Sequence, residues 1–450
     1  MQKLFRVSAA ALLAWTLLAG LDGCKSVPIE QTPPVATDQD PGATVSDTDV
    51  VHAYHYLLGR LLVLRQQRLD FEKDGFQWNH IVHRKPGSVE WANPNLDVLY
   101  SEAWVALDEK TCVLLDIPRI EGRYYTWQML DGWGETVLNI NERTFAQRPY
   151  GRYALCLKGG RATPPADALR IDLPVRTMRV LARIEPGDDP AQATGLQHEF
   201  RLTPLGEPRI EAPIEVPLFT NARLPRAEAF DFATQVLDGQ PDLAPGMDEV
   251  RTKVRAVAAL VQSDAAGRTR VDDVIARQAL PALAQRMKTL GPTGNGWVRP
   301  MTFGHYGSDY LDRTIVDLVG IWANTRTEVT FYGMPHLDGS ATYTQTYPKD
   351  APPQSLARYF WSVTEVDSTH YKVVPNQLGR YALNRQSRVQ PNADGSVTLA
   401  FGPARPDGVP ESNWLPTQPG TNYNLTFRLY GPAIDVAAGQ YFPPPLVRQH

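Results

Sequence analysis

Proline constrains this chain more than any other residue type. Thirty-eight prolines are scattered among 450 residues, between short apolar runs. A proline has no backbone N–H to give a ladder, so sheets admit it only at edges, first positions and bulges. Loop-rich antiparallel β structure is therefore favoured over long parallel sheets. Between Asp97 and Arg209 the runs 98–105, 112–117, 124–129, 136–140, 153–157 and 177–184 read as strands broken by Pro and Gly turns. That spacing predicts an antiparallel sandwich.

Helical patterns flank this region. One starts at Ser46 or Asp47, a good cap, with Val50, Tyr54, Leu57, Leu58, Leu61 and Leu62 as its apolar stripe. Others cover 227–237, 247–262 and 271–290, the last with Asp272 and Asp273 in its first turn and Gly291 past its end. A helix at 310–324 then precedes strands at 329–332, 341–347, 359–362, 397–401 and 423–430. Asp394-Gly395 reads as a tight hairpin turn, with Val397, Leu399 and Phe401 alternating behind it.

A composition of 43% apolar and 21% charged residues suits a globular protein with a sizeable core. The net charge of -4, without any Lys/Arg-rich block, excludes nucleic acid as a partner class. At the N-terminus a cationic head and an apolar run from Val7 to Leu21 form a secretory-type signal, too short to span a bilayer comfortably. Leu21-Asp22-Gly23-Cys24 resembles a bacterial lipobox, although Asp22 is unusual there. The expectation is a lipid membrane partner through acylated Cys24, in a bacterial cell envelope at the outer membrane facing the periplasm. Simple cleavage or a retained anchor is the alternative. Lys25 to Val45 reads as a proline-rich tether. The two cysteines that remain, Cys112 and Cys156, either pair in an oxidising compartment or pack as separate buried thiols.

Two segments resemble known domains. One contains Asn93-Pro94-Asn95-Leu96-Asp97, Gly122-Arg123-Tyr124-Tyr125 and Gln128-Met129-Leu130-Asp131. The other contains Tyr359-Phe360-Trp361, Asn413-Trp414-Leu415-Pro416 and Arg428-Leu429-Tyr430-Gly431-Pro432. Together they are similar to the paired DUF1254 and DUF1214 domains. The resemblance implies a mainly β fold with helical insertions, made of two β-sandwich, jelly-roll-like domains, and it implies no assigned reaction. Residues 46–215 would form the first domain, 216–300 a helical connection and 301–450 the second. Val98 stands where family members tend to have Thr, so any hydroxyl role there is lost.

No Gly-x-Ser-x-Gly, His-Glu-x-x-His or phosphate-cradling motif is present. Chemistry must therefore come from polar clusters. Asn93, Asn95, Asp97 and Tyr100 either form a structural polar turn or offer Asp97 as a base with Tyr100 as donor. An extended strand would put Asp131, Trp133 and Glu135 on one face, where two carboxylates and the Trp127 and Trp133 rings would suit a sugar, but Gly132-Trp133-Gly134 reads as easily as a plain turn with a packed indole. His52/His55 and His80/His83 have helical metal-ligand spacing, but lack a third ligand, and no metal is assigned. Arg123, Arg380 and Arg428 either clamp an anion or pair with buried acids.

Three functions follow as expectations. One is a hydrolase of a saccharide or small polar molecule, with Asp97, Asp131 and Glu135 as acids. The second is a binding protein whose ligand meets Asn93, Asn95, Tyr100, Arg123, Tyr125 and Trp133. The third is a non-catalytic envelope assembly module. No cofactor or oligomeric state is assigned.

Overall fold

The structure is a computed structural model and describes residues 45–84 and 94–449. The lipobox, Cys24, the tether to residue 44 and Asn93 lie outside the described residues. Among the described residues no helix is long and apolar enough to cross a membrane.

A long helix, α1 (Asp47–Lys73), comes first. Ser46 caps it reciprocally: its Oγ accepts the Asp49 N–H while the Asp49 carboxylate accepts the Ser46 N–H. From Ala53 to Arg65 the helix is buried on every side, so it is a core rod rather than a surface helix with one stripe.

The first sandwich follows. Its strands are β1 (Val82–His83), β2 (Leu99–Ala106), β3 (Cys112–Ile117), β4 (Tyr125–Leu130), β5 (Thr136–Ile140), β6 (Gly151–Leu157), β7 (Leu169–Leu173), β8 (Thr177–Ile184) and β9 (Arg201–Pro204), with α2 (Pro190–Glu199) before the last. The orders β1-β2-β8-β4-β5 and β7-β6-β3-β9 make two facing sheets. Alternation explains their packing: Ala103, Val105, Trp127, Met129 and Val180 of one sheet meet Val113, Leu115 and Leu155 of the other. Cys112 and Cys156 are register partners on β3 and β6 and form a disulfide.

A helical body comes next: a 3-10 turn at Ala227–Phe232, α3 (Ala233–Gly239), α4 (Asp248–Ser263), α5 (Ala265–Val274), a π turn at Ile275–Ala279 and α6 (Leu280–Met287). The helix expected from 271 starts earlier, because Asp264 caps it by accepting the Gly267 N–H, so Asp272 and Asp273 lie near the end of α5. Pro281 cannot donate to the preceding turn, and the helix widens to its π turn just ahead of it. The ribbon β10 (Thr293–Gly294) and β11 (Trp297–Val298) leads to α7 (Tyr310–Gly320). Leu57 and Leu61 of α1 share one core with Val254 and Val257 of α4 and Ile315 of α7. This part of α1 thus packs in the core of the helical body.

The second sandwich comprises β12 (Val329–Asp338), β13 (Tyr343–Tyr347), β14 (Ala357–Asp367), β15 (Ala382–Asn384), β16 (Val397–Gly402), β17 (Trp414–Pro416) and β18 (Asn422–Pro432), then α8 (Ile434–Ala437) and β19 (Val447–Arg448). Its sheets run β10-β11-β12-β18-β14-β15 and β17-β16-β13-β19. Trp361, Val363, Leu399, Phe401, Leu425 and Phe427 fill the space between them. Asp394-Gly395 does turn, with Gly395 at φ 87°. It does not close a hairpin, however, because β16 pairs with the earlier β13 and with β17.

The outer face of the β2-β8-β4 sheet is buried as well. Val98, Trp104, Tyr124 and Leu181 pack there against Val63 of α1, Trp322, and Phe360 and Tyr430 of the second sandwich. The two sandwiches therefore meet through outward faces, with the helical body alongside.

Candidate functional site between the sandwiches

A cavity of about 830 Å3 lies at this junction, within the size range of small-molecule sites. Three surfaces wall it. Tyr100 of β2 and Arg183 of β8 come from the first sandwich, Phe331 and Gly333 of β12 and Thr426, Arg428 and Tyr430 of β18 from the second. Residues two apart on a strand share a face, which lines up Thr426, Arg428 and Tyr430. The third wall is α6, α7 and the segment after it, with Met287, Val316, Val319, Ile321 and Trp322.

Apolar side chains dominate that third wall, whereas the polar groups gather where the sandwiches touch. Arg183 is 6% exposed. Its guanidinium donates to Gln128 Oε1 at 2.6 Å, to the Trp322 carbonyl at 2.8 Å and to the Tyr100 hydroxyl at 3.4 Å. Trp322 has φ 68°, a left-handed conformation that is costly for a bulky residue, and its carbonyl is the one Arg183 holds. Arg428 donates to Thr364 Oγ1 at 2.6 Å and to the Pro94 carbonyl at 3.3 Å. Asn95 closes an Asx turn by accepting the Asp97 N–H at 2.9 Å, and its amide donates to the Tyr430 hydroxyl. Tyr430 stacks on Phe360 with ring centroids 4.2 Å apart. At the opposite end the lining includes exposed Lys288, Pro335 and His336, which form the mouth.

Of the residues singled out in the sequence, Asn95 and Tyr100 line the cavity. Asp97 stands behind it, accepting from Asn384 Nδ2 at 3.1 Å. Burial pushes the Asp97 carboxyl up and the nearby Arg428 offsets part of that. Asp131 and Glu135 are elsewhere. Residues 131–134 form the turn between β4 and β5, so Asp131, Trp133 and Glu135 do not share a strand face. Asp131 Oδ1 accepts the Trp133 and Glu135 N–H groups at 2.8 and 3.1 Å, and burial pushes its carboxyl up to about 7. Glu135 accepts the Tyr306 N–H and pins the loop to the helical side. Trp133 packs on Tyr56 at 4.7 Å and donates to the Gln240 carbonyl inside the helical core. The three acids therefore do not converge on one cleft.

Tyr125 donates to the Pro149 carbonyl from within the first sandwich, where Trp127 also lies. Arg123 serves the Glu185 and Pro186 carbonyls, and Arg380 those of Glu411 and Trp414. Only Arg428 of the three motif arginines reaches the cavity. His55 bonds the Ala279 carbonyl and His83 meets Ser101 Oγ. Among the described residues no group of three or more His, Cys, Asp or Glu is placed to hold a metal.

Arg183 reads in the sequence as an ordinary member of a strand. The signal lay in its surroundings: Arg179, Leu181, Arg183 and Glu185 alternate with Met178, Val180, Ala182 and Ile184. Charge on the second face of a strand reads as solvent exposure, and only tertiary packing reveals that the face is covered.

Two family models match the chain, both described as protein of unknown function: DUF1254 over residues 78–204 and DUF1214 over residues 333–434. No curated protein matches it. Among solved structures, the VPA0106 protein from Vibrio parahaemolyticus superposes with a TM-score of 0.59 at 17% identity, covering 90% of this chain and 100% of that one. An uncharacterized protein from Burkholderia cenocepacia gives a TM-score of 0.44 at 15% identity, covering 90% and 95%. The first likeness shows that the β-rich fold is shared.

Proposed function

For a chain that belongs to the family pairing a DUF1254 with a DUF1214 domain, we propose a binding function: the cavity between its sandwiches holds a largely apolar small molecule. The cavity itself carries the reading. Its volume matches such a ligand and its third wall is Met, Val and Ile. A saccharide would need polar groups along its length, and its hydrolysis would need two acids across one bond. Asp97, Asp131 and Glu135 do not supply that pair, so the ligand class moves from a sugar to a less polar molecule. In the same reading Cys24 is acylated and tethers the binding domain to the bacterial cell envelope, where such ligands partition.

Gly333 offers the test. It lines the cavity, and a Cβ built on it meets nothing within 4 Å. A side chain at this position therefore starts in open space: Gly333→Phe adds a ring to the cavity wall, and Gly333→Ala is its control. With the neutral dye N-phenyl-1-naphthylamine, the wild type and G333A are expected to bind saturably at one site. G333F should weaken binding about tenfold or more, since one displaced aromatic ring is worth upwards of 1.4 kcal/mol. Equal binding by all three variants would remove the cavity from the account.

A further inference from the structure

The described residues that line the cavity include three cationic side chains, Arg183, Lys288 and Arg428, and no carboxylate. Lys288 is exposed at the mouth, where water solvates it. Arg428 has the Asp97 carboxylate nearby, and its charge offsets part of the upward push that burial gives that carboxyl. Arg183 differs from both. It is buried, and each of its hydrogen-bond partners, Gln128, the Trp322 carbonyl and Tyr100, is neutral. No carboxylate forms an ion pair with it among the described residues. Compare Arg179 two turns of the pleat away, also buried, which has both Asp70 and Glu102. Neutral acceptors orient a guanidinium but do not cancel its charge, and a buried charge without a counter-charge is costly.

From this we infer that the ligand is an amphipathic anion, its head group held at Arg183 and its apolar body running along α7 toward the mouth. The inference rests on the binding function proposed above. Arg183 offers a planar fork suited to a carboxylate, and the Tyr100 hydroxyl lies beside it at the same end of the cavity. The reach fits a chain rather than a compact ring. Tyr430 and Asn424 both line the cavity, and six residues of strand separate them by roughly 20 Å at about 3.3 Å per residue. A medium or long alkyl carboxylate has that form.

The experiment is displacement of N-phenyl-1-naphthylamine from the full chain, purified without detergent, by dodecanoate and by 1-dodecanol. The two share a chain and differ in charge. Dodecanoate should displace the dye at concentrations about tenfold lower or more, the scale of one charge-assisted hydrogen bond. Arg183→Gln should erase that preference, bringing dodecanoate and dodecanol to similar potency. Arg183→Lys, which keeps the charge and loses the fork, should retain part of it and replaces R183Q if that variant does not fold. Equal potency of the two ligands on the wild type would overturn the anion inference and leave the cavity reading intact. A preference that survives both substitutions would overturn the assignment to Arg183. Failure of the dye and both ligands to bind would overturn the binding function itself.

Discussion

Glu365 lies on β14 with neither carboxyl oxygen hydrogen-bonded among the described residues, and it is 2% exposed. Burial alone pushes it up to about 8, from an ordinary glutamate value of 4.5. Because the folded value lies above the unfolded one, the stability tied to neutral Glu365 is complete below about pH 4.5 and is lost as the pH rises through about 8. Glu365→Gln removes the ionisable group at nearly constant shape. Urea unfolding should therefore find E365Q more stable than wild type at pH 9, by on the order of a few kcal/mol, and close to it at pH 5. A wild type whose advantage grows with pH would contradict this. Asp97 obeys the same physics in a different setting: its carboxyl is buried, but Asn384 and Arg428 answer it. The sequence does not carry that distinction: it offers Asp97 as a member of a polar turn or as a base, and no local pattern singles out Glu365.

Among the elements, α1 depends on a buried ionic knot. Asp70 accepts from Trp104 Nε1 at 2.8 Å and lies 3.3 Å from Arg179, which also pairs with Glu102. All three ionic side chains are shut away from solvent. Removing one partner from such a group strands the remaining charges. Asp70→Ala is accordingly expected to destabilise the fold by about 3–5 kcal/mol in chemical denaturation, and Asp70→Asn by less, because the indole bond survives. A loss below about 1 kcal/mol for D70A would show the knot to be solvated. The strand expectations over 112–117, 136–140 and 177–184 match β3, β5 and β8 to the residue, since alternation and turn residues are local properties. The pairing of α1 with α4 and α7, and of β16 with β13 rather than with a hairpin partner, depends on contacts far apart in the chain. No local pattern encodes them.

Over the whole molecule the same contrast governs the site. Mainly β architecture with helical insertions was readable from prolines, short runs and motif resemblance. The cavity was not, because its walls come from residues within 94–100, 124, 183, 284–336, 371 and 424–430, brought together by two sandwiches meeting through faces that alternate polar and apolar. The motif residues Asn95, Tyr100, Arg428 and Tyr430 did fall at its polar end, while Asp131, Trp133 and Arg123 proved to be anchors of turns and loops. The most direct measurement is a crystal structure of the full chain grown with 12-bromododecanoate, using bromine anomalous scattering. The account predicts an alkyl chain in the cavity, its carboxylate within hydrogen-bond distance of Arg183 and its bromine toward Lys288 and His336. Bromine bound only on the outer surface, with no chain between the sandwiches, would contradict it.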